Sequence, residues 1–276
     1  MPVALTEIVL RELRCRVRRF PLVRRVWHFC LDCVNILMHG HKLALDGNPG
    51  RFATSPAVRF GDRLRWGALG EYIWLSRRIP GWTRGDEAAA LARASYASPD
   101  EAVIVEIGSF LGCSTILLAG ARKLRGSGKV HCVDAFDTSG DAFSVPIYRA
   151  HQDSLPVSLR KRFDENIRLT GLTEWVEVHQ GRDSDIASGW KSPIDLLFMD
   201  GDHSVEEARQ TYQAWSRFLK SGGVIAIHNS RNDVPYAEGH DGSMRLVAEA
   251  IRPPRYADIH CIGTTTFARR LPDGGT

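Results

Sequence analysis

From residue 99 onward the chain alternates short apolar, β-rich runs with longer amphipathic stretches of helical period. The runs cover 102–107, 130–133, 175–179, 194–199 and 224–228, and helical stretches fall near 113–124, 155–170, 204–219 and 243–251. Continuous apolar strands separated by helices predict a parallel sheet covered on both faces. Two adjoining β-like runs around Gly263, within 257–270, predict a hairpin at one edge. The expected fold class is therefore α/β, a doubly wound sheet with an antiparallel edge.

The first 85 residues are patterned differently. Leu5, Ile8, Val9, Leu13 and Val17 give one apolar helical face, and Pro21 ends or kinks that helix. The Gly-, Pro- and Ser-rich stretch 40–61 reads as a loop, and a second helix over 64–78 stops at Ile79-Pro80-Gly81-Trp82. A third helix over 86–96 opens with acidic residues. We divide the chain into a helical N-terminal extension, 1–85, serving as lid, acceptor-side wall or subunit contact, and a main domain, 86–276.

Composition narrows the class. With 276 residues, 43% hydrophobic and 25% charged, the chain excludes disorder, collagen and coiled coil. The net charge of +4 is concentrated in an arm, residues 1–30, holding seven Arg and two acids. The body of the protein gives no support for a nucleic-acid partner, while the arm suits anionic lipid, phosphate or an acidic partner. No apolar run reaches the ~18 residues of a membrane span, and the interleaved Arg residues do not form a secretory signal, so a cytoplasmic location is expected. Six Cys are too sparse for a disulfide framework. Cys30 and Cys33 form C-x-x-C with His39 and His41 following, but the second pair lacks zinc-ligand spacing and the run reads as an apolar helix.

The candidate chemistry lies at strand ends. The first strand runs into Glu106-Ile107-Gly108-Ser109-Phe110-Leu111-Gly112-Cys113-Ser114-Thr115. In an open α/β sheet this turn is the ligand crevice, where helix N–H groups meet an anion. Phe110 stands at the second glycine position of a dinucleotide fingerprint and obstructs a pyrophosphate, so a ligand with a carboxylate fits better. The second strand ends in Asp134, an acid placed to accept from ribose hydroxyls. The fourth ends in Asp200-Gly201-Asp202-His203-Ser204 and the fifth in His228-Asn229-Ser230. Asp200, His228 and Asn229 offer oxygen and nitrogen ligands for one divalent cation, with the alternative that His228 and Asn229 only satisfy a strand end. His203 is a candidate general base or a structural helix-start residue.

On E-I-G-S-F-L-G-C-S-T, V-D-A-F, D-G-D-H-S and S-G-G-V-I-A-I-H, the chain resembles class I S-adenosylmethionine-dependent methyltransferases. Within them it is most similar to the metal-assisted O-methyltransferases of sugars and other natural products. The resemblance covers about 79–270 and implies a Rossmann-like sheet of seven strands. It also implies cofactor contacts from Glu106, Gly108, Ser109 and Gly112 to the methionine part, Asp134 to the ribose, and Asp183 and Ser184 to the adenine. Asp200, His228 and Asn229 become ligands of a divalent cation, magnesium being expected, and Asp200 and His203 the catalytic pair, with His203 as base. The related sugar enzymes usually carry His-Asp where this chain has His228-Asn229. The expected function is methyl transfer to a hydroxyl of a small, glycosidic or related acceptor, with homo-oligomers and peripheral membrane contact through the arm left open. The alternatives are a phenolic, catechol-like acceptor and a catalytically silent cofactor-binding scaffold.

Overall fold

The computed structural model describes residues 55–272 together with Leu22, Val26, Phe29 and Cys30. The Arg-rich helix with its Pro21 end, and Cys33, His39 and His41, lie outside the described residues. Three helices come first: α1 (Pro56–Trp66), α2 (Leu69–Ser76) and α3 (Gly85–Ala97). Then follow β1 (Val103–Ile107), α4 (Cys113–Arg125), β2 (Lys129–Asp134), α5 (Ser144–Ser154), α6 (Leu159–Leu169), β3 (Val176–Gln180) and α7 (Asp183–Gly189). The chain closes with β4 (Ile194–Met199), α8 (Val205–Trp215), β5 (Leu219–Ile227), α9 (Gly242–Ala250), β6 (Tyr256–Ile262) and β7 (Thr265–Arg270).

The seven strands form one sheet in the order β3-β2-β1-β4-β5-β7-β6. The first five are parallel, and β7 runs antiparallel between β5 and β6, so the predicted edge hairpin is present. Alternation along the strands splits the core in two. Ile104, Val130, Leu196 and Phe198 pack with α2, α3, α4 and α6 on one face. Val105, Val133, Leu197 and Ile225 pack with α7, α8 and α9 on the other. Every residue of β4 is buried, which explains a run that is apolar but for Asp195, itself paired with Lys220.

The extension is partly woven into the first face. The Tyr72 ring lies where a side chain at Gly120 would stand, an added Cβ there falling 2.1 Å from Tyr72 Cγ. The stretch expected as a loop to residue 61 instead starts a helix, because Ser55 Oγ accepts from Val58 N–H at 3.3 Å and Pro56 occupies the first turn. The single helix expected over 64–78 is broken at Gly67, whose φ of +61° lies outside helical space. The helix expected over 155–170 begins only at Leu159, capped by Ser158 Oγ. Among the described residues, no helix is long and apolar enough to cross a membrane.

Candidate functional site

The ends of β1, β2, β4 and β5 are tied by backbone hydrogen bonds. Gly108 N–H donates to Val133 O at 2.9 Å, Asp200 N–H to Ile107 O at 2.8 Å, and His228 N–H to Met199 O at 3.0 Å. This closeness dictates Gly108: a Cβ there would lie 2.2 Å from the Asp200 carbonyl oxygen, and φ is +84°. The glycine is thus required by the neighbouring strand end, before any ligand is considered.

The turn after Gly108 is braced by Asp134. Its carboxylate accepts from Ser109 N–H at 2.9 Å, Phe110 N–H at 2.7 Å and Phe136 N–H at 2.6 Å. These bonds hold Phe110 at φ +47°, a left-handed conformation that a bulky residue adopts only when its surroundings impose it. Three of roughly four lone-pair sites are occupied, leaving about one for a ligand. Burial raises the Asp134 pKa, against these three donors. Glu106 lies beneath, fully buried, and accepts through Oε2 from Ser109 Oγ at 2.8 Å, from Thr115 Oγ1 and from Cys132 Sγ. Its Oε1 has no partner, and burial raises its pKa.

One cavity of about 600 Å³, within the usual size of small-molecule sites, opens at these strand ends. Gly108, Ser109, Asp134, Asp183, Ser184, Asp200, His203, His228 and Asn229 all line it. Glu106 and Gly112 do not; Gly112 packs at the α4 start against Ile167 and Phe163. Asp183 accepts from Thr211 Oγ1 at 2.7 Å. The Ile79-Pro80-Gly81-Trp82 approach reaches the same cavity, since Gly81 packs on Cys113 and both Gly81 and Trp82 line the wall.

Three imidazoles meet at the far end. His203 Nδ1 lies 3.0 Å from Ser243 Oγ, and His240 Nδ1 lies 3.0 Å from Asp141 Oδ1. The Asn229 amide nitrogen lies 3.3 Å from His203 Nε2 and 3.2 Å from His240 Nε2. Asn229 thus bridges the two Nε2 atoms, while Ser243 and Asp141 hold the two Nδ1 atoms. Asn229 sits at φ +51°, which an Asn tolerates better than most residues. Asp200 Oδ1 stands 3.5 Å from His203 Nε2 and 3.9 Å from His228 Nε2. On its other side, His228 Nδ1 donates to Glu87 Oε1 at 3.0 Å. Burial alone would lower the His228 pKa, but the Asp200 and Glu87 carboxylates outweigh it and hold it at about 9.

That charge state bears on the expected cation. The Asp200 and Glu87 carboxylates favour the protonated form of His228, a proton that a cation would have to displace, while Asn229 is engaged by two imidazoles. Asp200, with His228 Nε2 3.9 Å away, is the carboxylate that would hold a divalent cation, and the same carboxylate suits a hydrogen-bonded hydroxyl group.

No local pattern marks Glu87, Asp141, His240 or Tyr148 as site residues. Each comes from a segment without strand-end context, and only the fold brings it to the cavity or behind its lining. Burial would raise the Asp141 pKa, but His240 and Ser144 bind its carboxylate and hold it well below the usual range. Phe110, Tyr148 and Trp82 form an aromatic wall, with ring centroids 5.0 Å apart for Phe110–Tyr148 and 6.0 Å for Trp82–Phe110. Burial, then the charge of Asp200, raises the Tyr148 pKa.

Comparison with known proteins agrees with this frame. Residues 105–230 match the family described as a methyltransferase domain. A Klebsiella pneumoniae protein assigned as an O-methyltransferase is similar in structure at 19% identity and TM-score 0.52, over 75% of this chain and 90% of that one. The S-adenosylhomocysteine-bound methyltransferase PaMTH1 of Podospora anserina is similar at 14% identity and TM-score 0.51, over 81% and 98% of the two chains. At these identities the likeness is one of fold.

Proposed function

We infer that this chain, an S-adenosylmethionine-dependent methyltransferase by its matched domain and its fold, methylates a hydroxyl oxygen of a small acceptor, a sugar, glycoside or related hydroxylated metabolite. The observation that carries this reading is the single cavity in which the Gly108 turn and Asp134 face the Asp200–His203–Asn229 cluster. S-Adenosylmethionine, when bound, supplies a methyl group already activated on a sulfonium. Gly108 and Ser109 would hold its methionine part at the start of α4, with Glu106 and Gly112 supporting the turn from behind. Asp134 would use its remaining acceptor capacity on the ribose, and Asp183 and Ser184 would face the adenine.

The remaining work is alignment and proton removal. Asp200 would accept a hydrogen bond from the acceptor hydroxyl, fixing its oxygen toward the turn. His203 Nε2, 3.5 Å from that carboxylate, would receive the proton, its Nδ1–H anchored on Ser243. His228 Nε2, 3.9 Å from Asp200 Oδ1, would help orient that carboxylate. Gly81 and Trp82 would bring the 79–82 approach to the acceptor side. The aromatic wall of Trp82, Phe110 and Tyr148 favours a second reading, a flat phenolic acceptor. Cation-assisted transfer, with magnesium on Asp200, would require His228 to lose its proton first.

Methyl-labelled cofactor offered with a panel of glycosides and a panel of phenols, in magnesium and in excess chelator, tests this. Transfer to a glycosidic hydroxyl in chelator is the expected result. Transfer to phenols alone supports the second reading, and transfer only with magnesium restores the cation. Cofactor binding without transfer to any acceptor would mean a silent scaffold.

A further inference from the structure

On the sheet face covered by α7 and α8, away from the cavity lining, the β2–β3 pair carries a second group of titratable side chains. The parallel register sets His131 opposite Glu177 and Val133 opposite His179. Because side chains two apart on a strand share a face, His131, Glu177 and His179 converge. His131 Nδ1 lies 3.1 Å from His179 Nε2 and 3.9 Å from Glu177 Oε2, and His179 Nε2 lies 3.6 Å from Glu177 Oε1. Ligand atoms held ~2.0–2.1 Å from a tetrahedral ion stand about 3.3 Å apart, and these three separations bracket that edge.

We propose that His131, Glu177 and His179 bind one divalent transition-metal ion of the zinc class, with a fourth position open to water. Two imidazoles and one carboxylate are a donor set such ions favour over magnesium or calcium. The Trp190 ring packs edge-on against both imidazoles, at 5.0 Å from His131 and 5.6 Å from His179, restricting their orientation. The side chains of His131 and His179 are 16% and 24% exposed and that of Glu177 is 49% exposed, so an ion can enter from solvent. An ion there would clamp the edge strand β3 to β2 just before Gly181 to Ser184, which line the cavity.

The untagged full chain, stripped by chelator and dialysed, is titrated with zinc alone by calorimetry and with cobalt(II) by visible absorption. Zinc is expected to bind at one equivalent and to raise the melting temperature by several degrees. His179→Gln and Glu177→Gln should each weaken this event at least tenfold and remove the cobalt bands of a low-coordinate site, whereas Asp200→Asn should leave both unchanged. Glu177 is half-exposed, so its variant keeps the fold, checked by circular dichroism. Absence of zinc binding, or binding unaltered in both variants, overturns the proposal.

Discussion

His228 donates from Nδ1 to Glu87 Oε1 at 3.0 Å, joining the end of β5 to the first turn of α3 across 141 positions of sequence. The pair makes stability depend on pH in a definite direction. The folded pKa of about 9 exceeds the ordinary 6.5, so the stabilisation is complete below pH 6.5 and is lost as pH rises through 9. The loss is on the order of 3 kcal/mol. Urea unfolding from pH 6 to pH 10 should show this decline, and Glu87→Gln should flatten it. An equally steep decline in the variant would mean that Asp200 alone sets the shift.

Asp134→Asn removes acceptor capacity from the Ser109–Phe110 turn without changing its shape. We expect a cost of about 1–3 kcal/mol, from a buried N–H left without an acceptor, together with weaker cofactor binding. Denaturation and calorimetry on the same preparation separate the two effects. Lost cofactor affinity at unchanged stability would make the carboxylate a ligand contact only.

Gly108→Ala and Gly126→Ala share a φ of +84°, but Cβ at 126 meets open space while Cβ at 108 meets the Asp200 carbonyl. Gly126→Ala should cost about 1–2 kcal/mol, from backbone strain alone. At 108 a further ~1–3 kcal/mol of overpacking is expected, with the β1 and β4 ends pushed apart. Equal denaturation midpoints for the two variants would contradict the close approach.

Asp200→Asn and His203→Gln should each lower turnover by roughly 10²–10⁴-fold, in the range of a lost proton-transfer group, with cofactor affinity within a few-fold of wild type. Single-turnover methyl transfer and cofactor calorimetry decide this. Wild-type rates in His203→Gln would shift the base to His240, whose Nε2 also faces Asn229.

The sheet was legible because its central strands are buried on both faces and are mostly apolar; Ile194–Met199, broken only by Asp195, is the clearest case. The strand-end residues were legible because a doubly wound sheet assembles its site there. The helix Ser144–Ser154 was not, since its start depends on Asp141 accepting from Phe143 and Ser144 rather than on apolar period. The charge on His228 was equally hidden. It depends on Glu87, and no local pattern ties the first turn of a distant helix to the end of β5.

The seat of Tyr72 on Gly120 bears on how the protein comes apart. Among the described residues, the Tyr72 ring fills the notch of helix α4 at that glycine, so removal of α2 would leave a void against the sheet's first face. Residues from Ser55 onward should accordingly melt in a single transition, and a protease cut in the 77–84 connector should release neither piece as a folded body.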